Sequence, residues 1–482
     1  MTQLHQDKDS SFTQESDFLA DDNHTPPSGS AHSEAIKGVI ITAIAAIIAY
    51  FLYANVLPFD DLANKGLALA IFVGILWLTE AIHITATAIL VPILAIFIGI
   101  PDFDTKTALS SFSDPIIYVF FGGFALAATM HVQKLDQKIA YSLMGLARGH
   151  LGVAVLLIFA TTAGLSMWIS NTATAAMMLP LALGLLTQID AKKDRNTFIF
   201  VLLGIAYSAS IGGLGTLVGS PPNAIAAKEI GLDFAGWTKI GFPVALVMMP
   251  VLLGAMYLVL RPNLNQKVDM GNREAVPWTL PRVLTIIVFF VTAVSWIFGK
   301  QLGQTFGFDK PDTVIAILAA VVVLLFGLVS WKQISDNTDW GVLMLFGGGI
   351  ALSNIMKSTG ASAVLGEQIS AWLANAPTLL VIVAIAAFII FLTEFTSNTA
   401  SAALLVPIFA PIGVALGLPK EVLILVIGIG ASCAFMLPVA TPPNAIVMGT
   451  GYIKQRDMMR IGFVLNLASI VIVTIFAYWF WR

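Results

Sequence analysis

From about residue 36 to its end, the chain is a train of long apolar runs separated by short polar breaks. The clearest runs are 38–57, 67–79, 84–100, 243–260, 283–298, 313–330, 378–392 and 461–480. Many reach or approach the ~20 residues that a helix needs to cross a bilayer. A soluble chain of 482 residues has room for a large core, but not for so much apolar sequence in unbroken runs. The pattern predicts an all-α polytopic membrane protein. The first 35 residues break it: they carry seven acids against one Lys, are rich in Ser, Asp, His and Pro, and show no apolar period. They read as a disordered cytoplasmic tail. No cationic stretch followed by a short apolar core marks a secretory signal there, so the first span is expected to act as the insertion signal.

The polar breaks are themselves patterned. Ser170-Asn171-Thr172, within SNTATAAMMLP, recurs as Ser397-Asn398-Thr399 within SNTASAALLVP. Ser220-Pro221-Pro222-Asn223 recurs as Thr441-Pro442-Pro443-Asn444, both continuing Ala-Ile, and Phe121-Gly122-Gly123 recurs as Phe346-Gly347-Gly348. The offsets of 227, 221 and 225 agree to within a few residues, so one unit occurs twice. Duplicated units with helix-breaking polar segments inside apolar surroundings point to a secondary transporter. Residues 151–190, and again roughly 361–416, could form two crossings or one re-entrant hairpin. A duplicated run of Ser, Asn and Thr makes little sense as a surface turn, which favours the hairpin with the triplet at its buried tip.

Composition agrees with the pattern. Hydrophobic residues make up 57% and charged residues 11%, against roughly 45–50% and about 25% in soluble proteins. The net charge of −3 comes from the tail, which contributes −6, so the remainder is slightly basic with no patch suited to nucleic acid. Cys433 is the single cysteine, which excludes an internal disulfide or a thiolate metal cluster. Placing the basic clusters (134–148, 192–195, 261–282 and 454–460) in the cytoplasm fits eleven crossings, with the N-terminus inside and the C-terminus outside. On that assignment 16 of the 25 Lys and Arg lie inside. The sequence contains neither the HExxH pair of an intramembrane metalloprotease nor the GxxxxGK[ST] loop of an ATP-driven pump, so an enzyme is not expected. A channel fits less well than a carrier, because channels usually assemble such loops around a continuous pathway.

SNTATAAMMLP, GGLGTLVGSPPNAIAA, FLTEFTSNTASAALLVPIF and ASCAFMLPVATPPNAIV resemble the bacterial INDY-type sodium/dicarboxylate symporters of the divalent anion:sodium symporter family. The resemblance runs from about residue 36 to 482, and the paired triplets and Pro-Pro-Asn segments make it specific. It implies an inverted-repeat fold of about eleven transmembrane helices, two re-entrant hairpins and two broken helices. It implies a homodimer in the bacterial inner membrane, importing C4-dicarboxylates (succinate, malate, fumarate) with Na+ by an elevator-type movement. Scaffold helices would then occupy 36–150 and 261–360, and the transport domain 151–260 and 361–482. A sulfate or other divalent-anion symporter, or a dicarboxylate exchanger, is the alternative.

Full charges near the midplane are costly, so a fixed Arg pair would hold a dianion too tightly and leave the empty carrier charged. Two neutral helix starts avoid this, each offering N–H groups, hydroxyls, an amide and a positive dipole end. On this reading Ser170, Asn171 and Thr172 take one carboxylate and Ser397, Asn398 and Thr399 the other, while the resemblance adds Ser220, Thr441 and Pro442 beside the substrate. Proline disrupts a helix and frees upstream carbonyls, which suit a hard cation such as Na+. By resemblance the first sodium site involves Ser166, Ser170, Asn171 and Gly219, and the second Thr393, Thr396, Asn398 and Ala440. The turn Gly213–Gly219 reads GLGTLVG where 434–440 reads AFMLPVA, so the two ion sites are expected to differ in affinity. Ala173, Thr174, Ala400 and Ser401 are read as packing residues. Glu80 and Glu394 invite a proton relay but are expected to have structural partners, and His83 is expected to be a buried hydrogen-bonding residue.

Overall fold

The structure is a computed structural model that describes residues 28–268, 276–373 and 376–482. Most of the expected tail, residues 1–27, lies outside the described residues. Its last part does not: the first helix is Ser28–Asn55, so residues 28–35 belong to it rather than to the tail. Adding residues to an existing helix is far cheaper than nucleating one, and the apolar run carries the helix back past its own polar start.

Nine helices among the described residues are long and apolar enough to cross a membrane, and no strand is formed there. One of the nine, Asn398–Ala415, is a hairpin limb. The other eight, with the shorter Ile84–Phe97, Pro311–Leu325 and the broken Lys420–Gly430/Pro442–Met448, supply the eleven crossings that the sequence predicts. Helix starts follow local chemistry. Asp60, Asp114 and Asp339 cap Asp61–Thr79, Pro115–Val132 and Trp340–Ser358 by accepting from Ala63, Ile116 and Val342 N–H. Pro115 and Pro311 occupy first-turn positions where no N–H is needed.

The Phe-Gly-Gly pair explains how the two repeats interlock. Helix Pro115–Val132 packs on Pro311–Leu325, and its counterpart Trp340–Ser358 packs on Ile84–Phe97. A Cβ at Gly122 would lie 2.6 Å from Ala316 Cβ, and one at Gly348 would lie 2.6 Å from Ala88 Cβ. Each glycine lets two backbones close to a distance that no side chain permits. Phe120 and Phe346 meet between them, ring centres 4.8 Å apart.

The two ambiguous regions are hairpins. Leu151–Ser166 and Asn171–Leu186 pack on each other, and the turn that joins them starts at the fully buried Ser166 rather than at the surface. The second hairpin is Thr378–Leu392 and Asn398–Ala415; Ala361–Leu373, inside the region suspected from sequence, is a separate helix packed on Asn398–Ala415. Behind the hairpins stand two broken helices, Arg195–Gly213 followed by Pro221–Ile230, and Lys420–Gly430 followed by Pro442–Met448. They exchange partners: Pro221–Ile230 packs on Asn398–Ala415 and Lys420–Gly430, while Pro442–Met448 packs on Arg195–Gly213 and Asn171–Leu186.

Candidate functional site

Both hairpin tips and both helix breaks converge on one cavity of about 760 Å³. Ser170, Asn171, Thr172, Ser220, Ser397, Asn398, Thr399, Thr441 and Pro442 all line it, together with Gly219, Thr396 and Ala440. Ser166 and Thr393, the remaining expected ion ligands, lie fully buried just behind the tips. No Lys, Arg or His lines the cavity among the described residues. Phe120 and Phe124 form an apolar wall, and Glu80, Asn337 and Asp339 stand at the loops before helices Ile84–Phe97 and Trp340–Ser358.

Each tip is a capped helix start. Ser170 Oγ accepts from Ala173 N–H at 3.2 Å, and Ser397 Oγ accepts from Ala400 N–H at 3.4 Å. Both hydroxyls therefore serve the helix as acceptors and keep a hydrogen to donate. Residues 171–172 and 398–399 follow these caps, where the first N–H groups of a helix have no internal partner. Behind each tip the Asn amide oxygen is held by a hydroxyl: Ser166 Oγ donates to Asn171 Oδ1 at 2.7 Å, and Thr393 Oγ1 lies 2.5 Å from Asn398 Oδ1. Thr393 Oγ1 is also 2.9 Å from the Ala431 carbonyl, and one hydroxyl hydrogen serves only one of these acceptors at a time. Three oxygens thus crowd one buried spot, a donor set that suits a hard cation. In the first half the crowding involves backbone. A Cβ at Gly213 would lie 2.6 Å from Asn171 Oδ1 and 2.9 Å from the Gly219 carbonyl oxygen. Thr396 sits slightly apart, its Oγ1 2.7 Å from Ser401 Oγ and donating to the Leu392 carbonyl at 3.1 Å.

The paired hydroxyls of Ser220 and Thr441, both at the cavity, diverge. Thr441 Oγ1 caps its own helix, accepting from Asn444 N–H at 3.4 Å, whereas Ser220 Oγ turns to Ser432 Oγ at 3.0 Å. Glu394 is not at the cavity surface. Its carboxylate accepts from the backbone N–H of Phe435, Met436 and Leu437 at 2.7 to 3.0 Å, and from Asn466 Nδ2 at 2.7 Å. These are the structural partners expected for it. Glu80 is exposed in a left-handed conformation at the end of Asp61–Thr79. His83 departs from expectation: it is exposed, and its Nδ1 accepts from Thr85 N–H at 3.3 Å, because a short polar turn there needs a helix cap. Sequence reasoning passed over Asn223 and Asn444, whose amides bond the carbonyls of the helix breaks. Their place in both Pro-Pro-Asn copies was the available signal.

The sequence profile of the sodium:sulfate symporter transmembrane region matches residues 32–482. The chain belongs to the sodium:sulfate symporter family. Among relatives of this symporter, an uncharacterized transporter of Haemophilus influenzae is 53% identical, over 92% of this chain and 97% of that protein. The sodium-dependent dicarboxylate transporter SdcS of Staphylococcus saprophyticus is 31% identical, over 92% of this chain and 91% of its own. In fold, the symporter is similar to the YdaH transporter of Alcanivorax borkumensis, with a TM-score of 0.53, 15% identity and coverage of 78% of this chain and 90% of that one. The family and its named relatives are transporters rather than enzymes, and this symporter is a multi-pass, sodium-coupled anion transporter.

Proposed function

We propose that this symporter imports C4-dicarboxylates (succinate, malate, fumarate) together with Na+ across the bacterial inner membrane, with its N-terminus cytoplasmic and its C-terminus periplasmic. The carrying observation is the cavity itself: two separate, uncharged helix starts face it, and no basic side chain among the described residues lines it. A dicarboxylate has two anionic ends to match two tips. One end rests on Ser170, Asn171 and Thr172, with Ser220 beside it, and the other on Ser397, Asn398 and Thr399, with Thr441 and Pro442 beside it. The name of the staphylococcal relative supports the same substrate class. Na+ supplies the missing positive charge, held at Ser166, Ser170, Asn171 and Gly219 in one half and at Thr393, Thr396, Asn398 and Ala440 in the other.

The interlocked pairs around Gly122 and Gly348 serve as a scaffold, 36–150 with 261–360, and the hairpins and broken helices, 151–260 with 361–482, as the moving part. Displacement of the moving part, elevator fashion, carries the site across, and two copies of the chain associate through their scaffolds. The family name favours a second reading, a sulfate symporter, in which one tetrahedral dianion sits between the tips.

Radiolabelled succinate uptake into liposomes, with and without a sodium gradient and with sulfate as competitor, separates the two. Succinate uptake driven by the gradient and insensitive to excess sulfate is expected. Asn171→Ala or Asn398→Ala is expected to abolish that uptake while the protein still melts cooperatively; unchanged uptake by either variant contradicts the assignment.

A further inference from the structure

The two Pro-Pro-Asn segments end in buried asparagines that neither touch the cavity nor belong to the ion sites named above. Each begins a helix in the same way. Pro221 and Pro222 fill its first two positions and Asn223 the third, as Pro442, Pro443 and Asn444 do in the second copy. Side chains on a helix lean toward its N-terminus, so the third residue reaches back over the break that precedes it. There Asn223 Nδ2 donates to the carbonyls of Gly213 and Thr216, both at 2.8 Å. Asn444 Nδ2 donates to Ala434 at 3.2 Å and Leu437 at 3.0 Å, positions displaced by the same 221 residues. Both amides therefore close a four-residue span with the same pair of bonds, although the residues within the spans differ almost completely.

The local chemistry requires such a donor. The carbonyls at the end of a broken helix have lost their intrahelical partners, and the prolines that open the next helix have no N–H to offer. Two buried carbonyls per break are satisfied by a single side-chain amide. Its own oxygen has no partner: Asn223 Oδ1 and Asn444 Oδ1 are both buried without a hydrogen bond among the described residues. An asparagine retained with its acceptor unused, twice, is retained for its donors.

We propose that Asn223 and Asn444 are positioning residues for the transported cations, each strapping a helix break so that the carbonyl of Gly219 or Ala440 is presented to its ion. Gly219 and Ala440 lie within three residues of the strapped carbonyls of Thr216 and Leu437. In the first copy the strapped Gly213 also abuts the Gly219 carbonyl and Asn171 Oδ1, so loosening the strap displaces ligands from both sides of the site. The inference rests on the sodium-coupled reading of the site but not on which anion is carried.

Its test uses the full-length protein and two readings. One is thermal stabilisation by NaCl against choline chloride; the other is sodium dependence of radiolabelled succinate uptake, with succinate KM taken at saturating Na+. Asn→Ala and Asn→Asp at either position are expected to raise the half-saturating Na+ concentration about tenfold or more in both readings, with succinate KM changed less than about threefold. Asp matters because it matches Asn in shape and keeps an oxygen but loses both N–H groups. An Asp variant with wild-type sodium dependence overturns the strap, because the oxygen and not the amide would then matter. An equal rise in sodium requirement and succinate KM also overturns it, since that marks general loosening of the site. Should the Ala and Asp proteins fail to fold, the Asn→Ser proteins, able to restore one of the two bonds, decide on the same readings. Loss of succinate specificity in the wild-type protein would remove the substrate reading and leave the melting series in NaCl intact.

Discussion

The two halves of the site are built on one plan and locked by different means. In the first half the break between Gly213 and Ser220 is a glycine-rich turn in which backbone crosses backbone at Gly213 and Gly219, and the Thr216 hydroxyl bonds the Met167 carbonyl at the hairpin tip. In the second half Met436 stands where Gly215 stands, Ala434 and Ala440 replace the crossing glycines, and Glu394 takes the place of Met167. Its carboxylate gathers three successive N–H groups of the wider turn and an amide from Asn466 on the last helix. Tyr207 of the first broken helix adds a bond to the Phe435 carbonyl at 2.7 Å. One turn is held by close approach and the other by a buried carboxyl group. Duplication fixes where the turns stand and leaves each copy free to find its own way of holding the loop.

The largest test of that difference is Glu394→Ala. It strands three backbone donors and the Asn466 amide in a buried place, at about 1–3 kcal/mol for each unsatisfied group before relaxation. A loss on the order of 3–5 kcal/mol in denaturant or thermal melting is expected. Glu394→Gln, which keeps an acceptor, is expected to recover part of it. The matching change in the other half, Met167→Leu, conserves volume and removes no partner, so it is expected to cost under about 1.5 kcal/mol. Losses of similar size at the two positions would mean that the halves are held alike.

Next in size is the close approach itself. A Cβ at Gly213 would press on Asn171 Oδ1 and the Gly219 carbonyl, neither of which can yield without disturbing the other. Overpacking of this kind costs about 1–3 kcal/mol, and 1.4 kcal/mol is a factor of ten in affinity. Gly213→Ala is therefore expected to raise the sodium requirement of uptake roughly tenfold. Ala434→Gly, the reverse change in a turn that already accommodates a methyl group, is expected to shift it less than about twofold, since removing one buried methyl costs under about 1 kcal/mol. A strong sodium defect in Ala434→Gly, with none in Gly213→Ala, would invert the comparison.

Much of this architecture was legible in the sequence because membranes enforce it. Apolar runs, paired triplets and Pro-Pro breaks record constraints that act residue by residue: length across hydrocarbon, a missing N–H, an amide that needs a partner. The triplets and the breaks were found that way, whereas Ser220, Thr441 and Pro442 beside the cavity, and the expected ion ligands, came from the family resemblance. The partners of Glu394, Asn223 and Asn444 were not found, because all but the Asn466 amide on Glu394 are backbone groups, and backbone bonds leave no complementary residue to recognise. His83, expected to be buried, is instead exposed, because its place is set by the turn before Ile84–Phe97, whose start it caps. The extent of the first helix was missed because helix propagation carries polar residues that no periodicity marks.

The smallest expected effect lies where the proposed moving part meets the proposed scaffold. Pro221–Ile230 ends in Lys228 and Glu229, which pair with opposite sides of the frame: Lys228 with Asp114 at the cap of Pro115–Val132, and Glu229 with Lys357 near the end of Trp340–Ser358, both at 2.5 Å. Ser353 adds a bond to Glu229 at 3.1 Å. The second broken helix, Lys420–Gly430 followed by Pro442–Met448, is followed by Gly449 and Thr450 where Lys228 and Glu229 stand in the first, so these ion pairs belong to the first half alone. Both lysines are about half exposed, which limits each pair to about 1 kcal/mol or less. A displacement that carries Glu229 past Lys357 must break that bond, so weakening it shifts the balance between states without touching the ions. Lys357→Ala is expected to change the maximal uptake rate by less than about fivefold, as 1 kcal/mol allows, with sodium and succinate half-saturation nearly unchanged. Exchanging the charges, Lys357→Glu with Glu229→Lys, is expected to return the rate toward wild type, whereas either single reversal is not. If the exchanged protein behaves as the worse of its two single variants, the pair does not act as a latch, and the difference between the halves is confined to how each holds its turn.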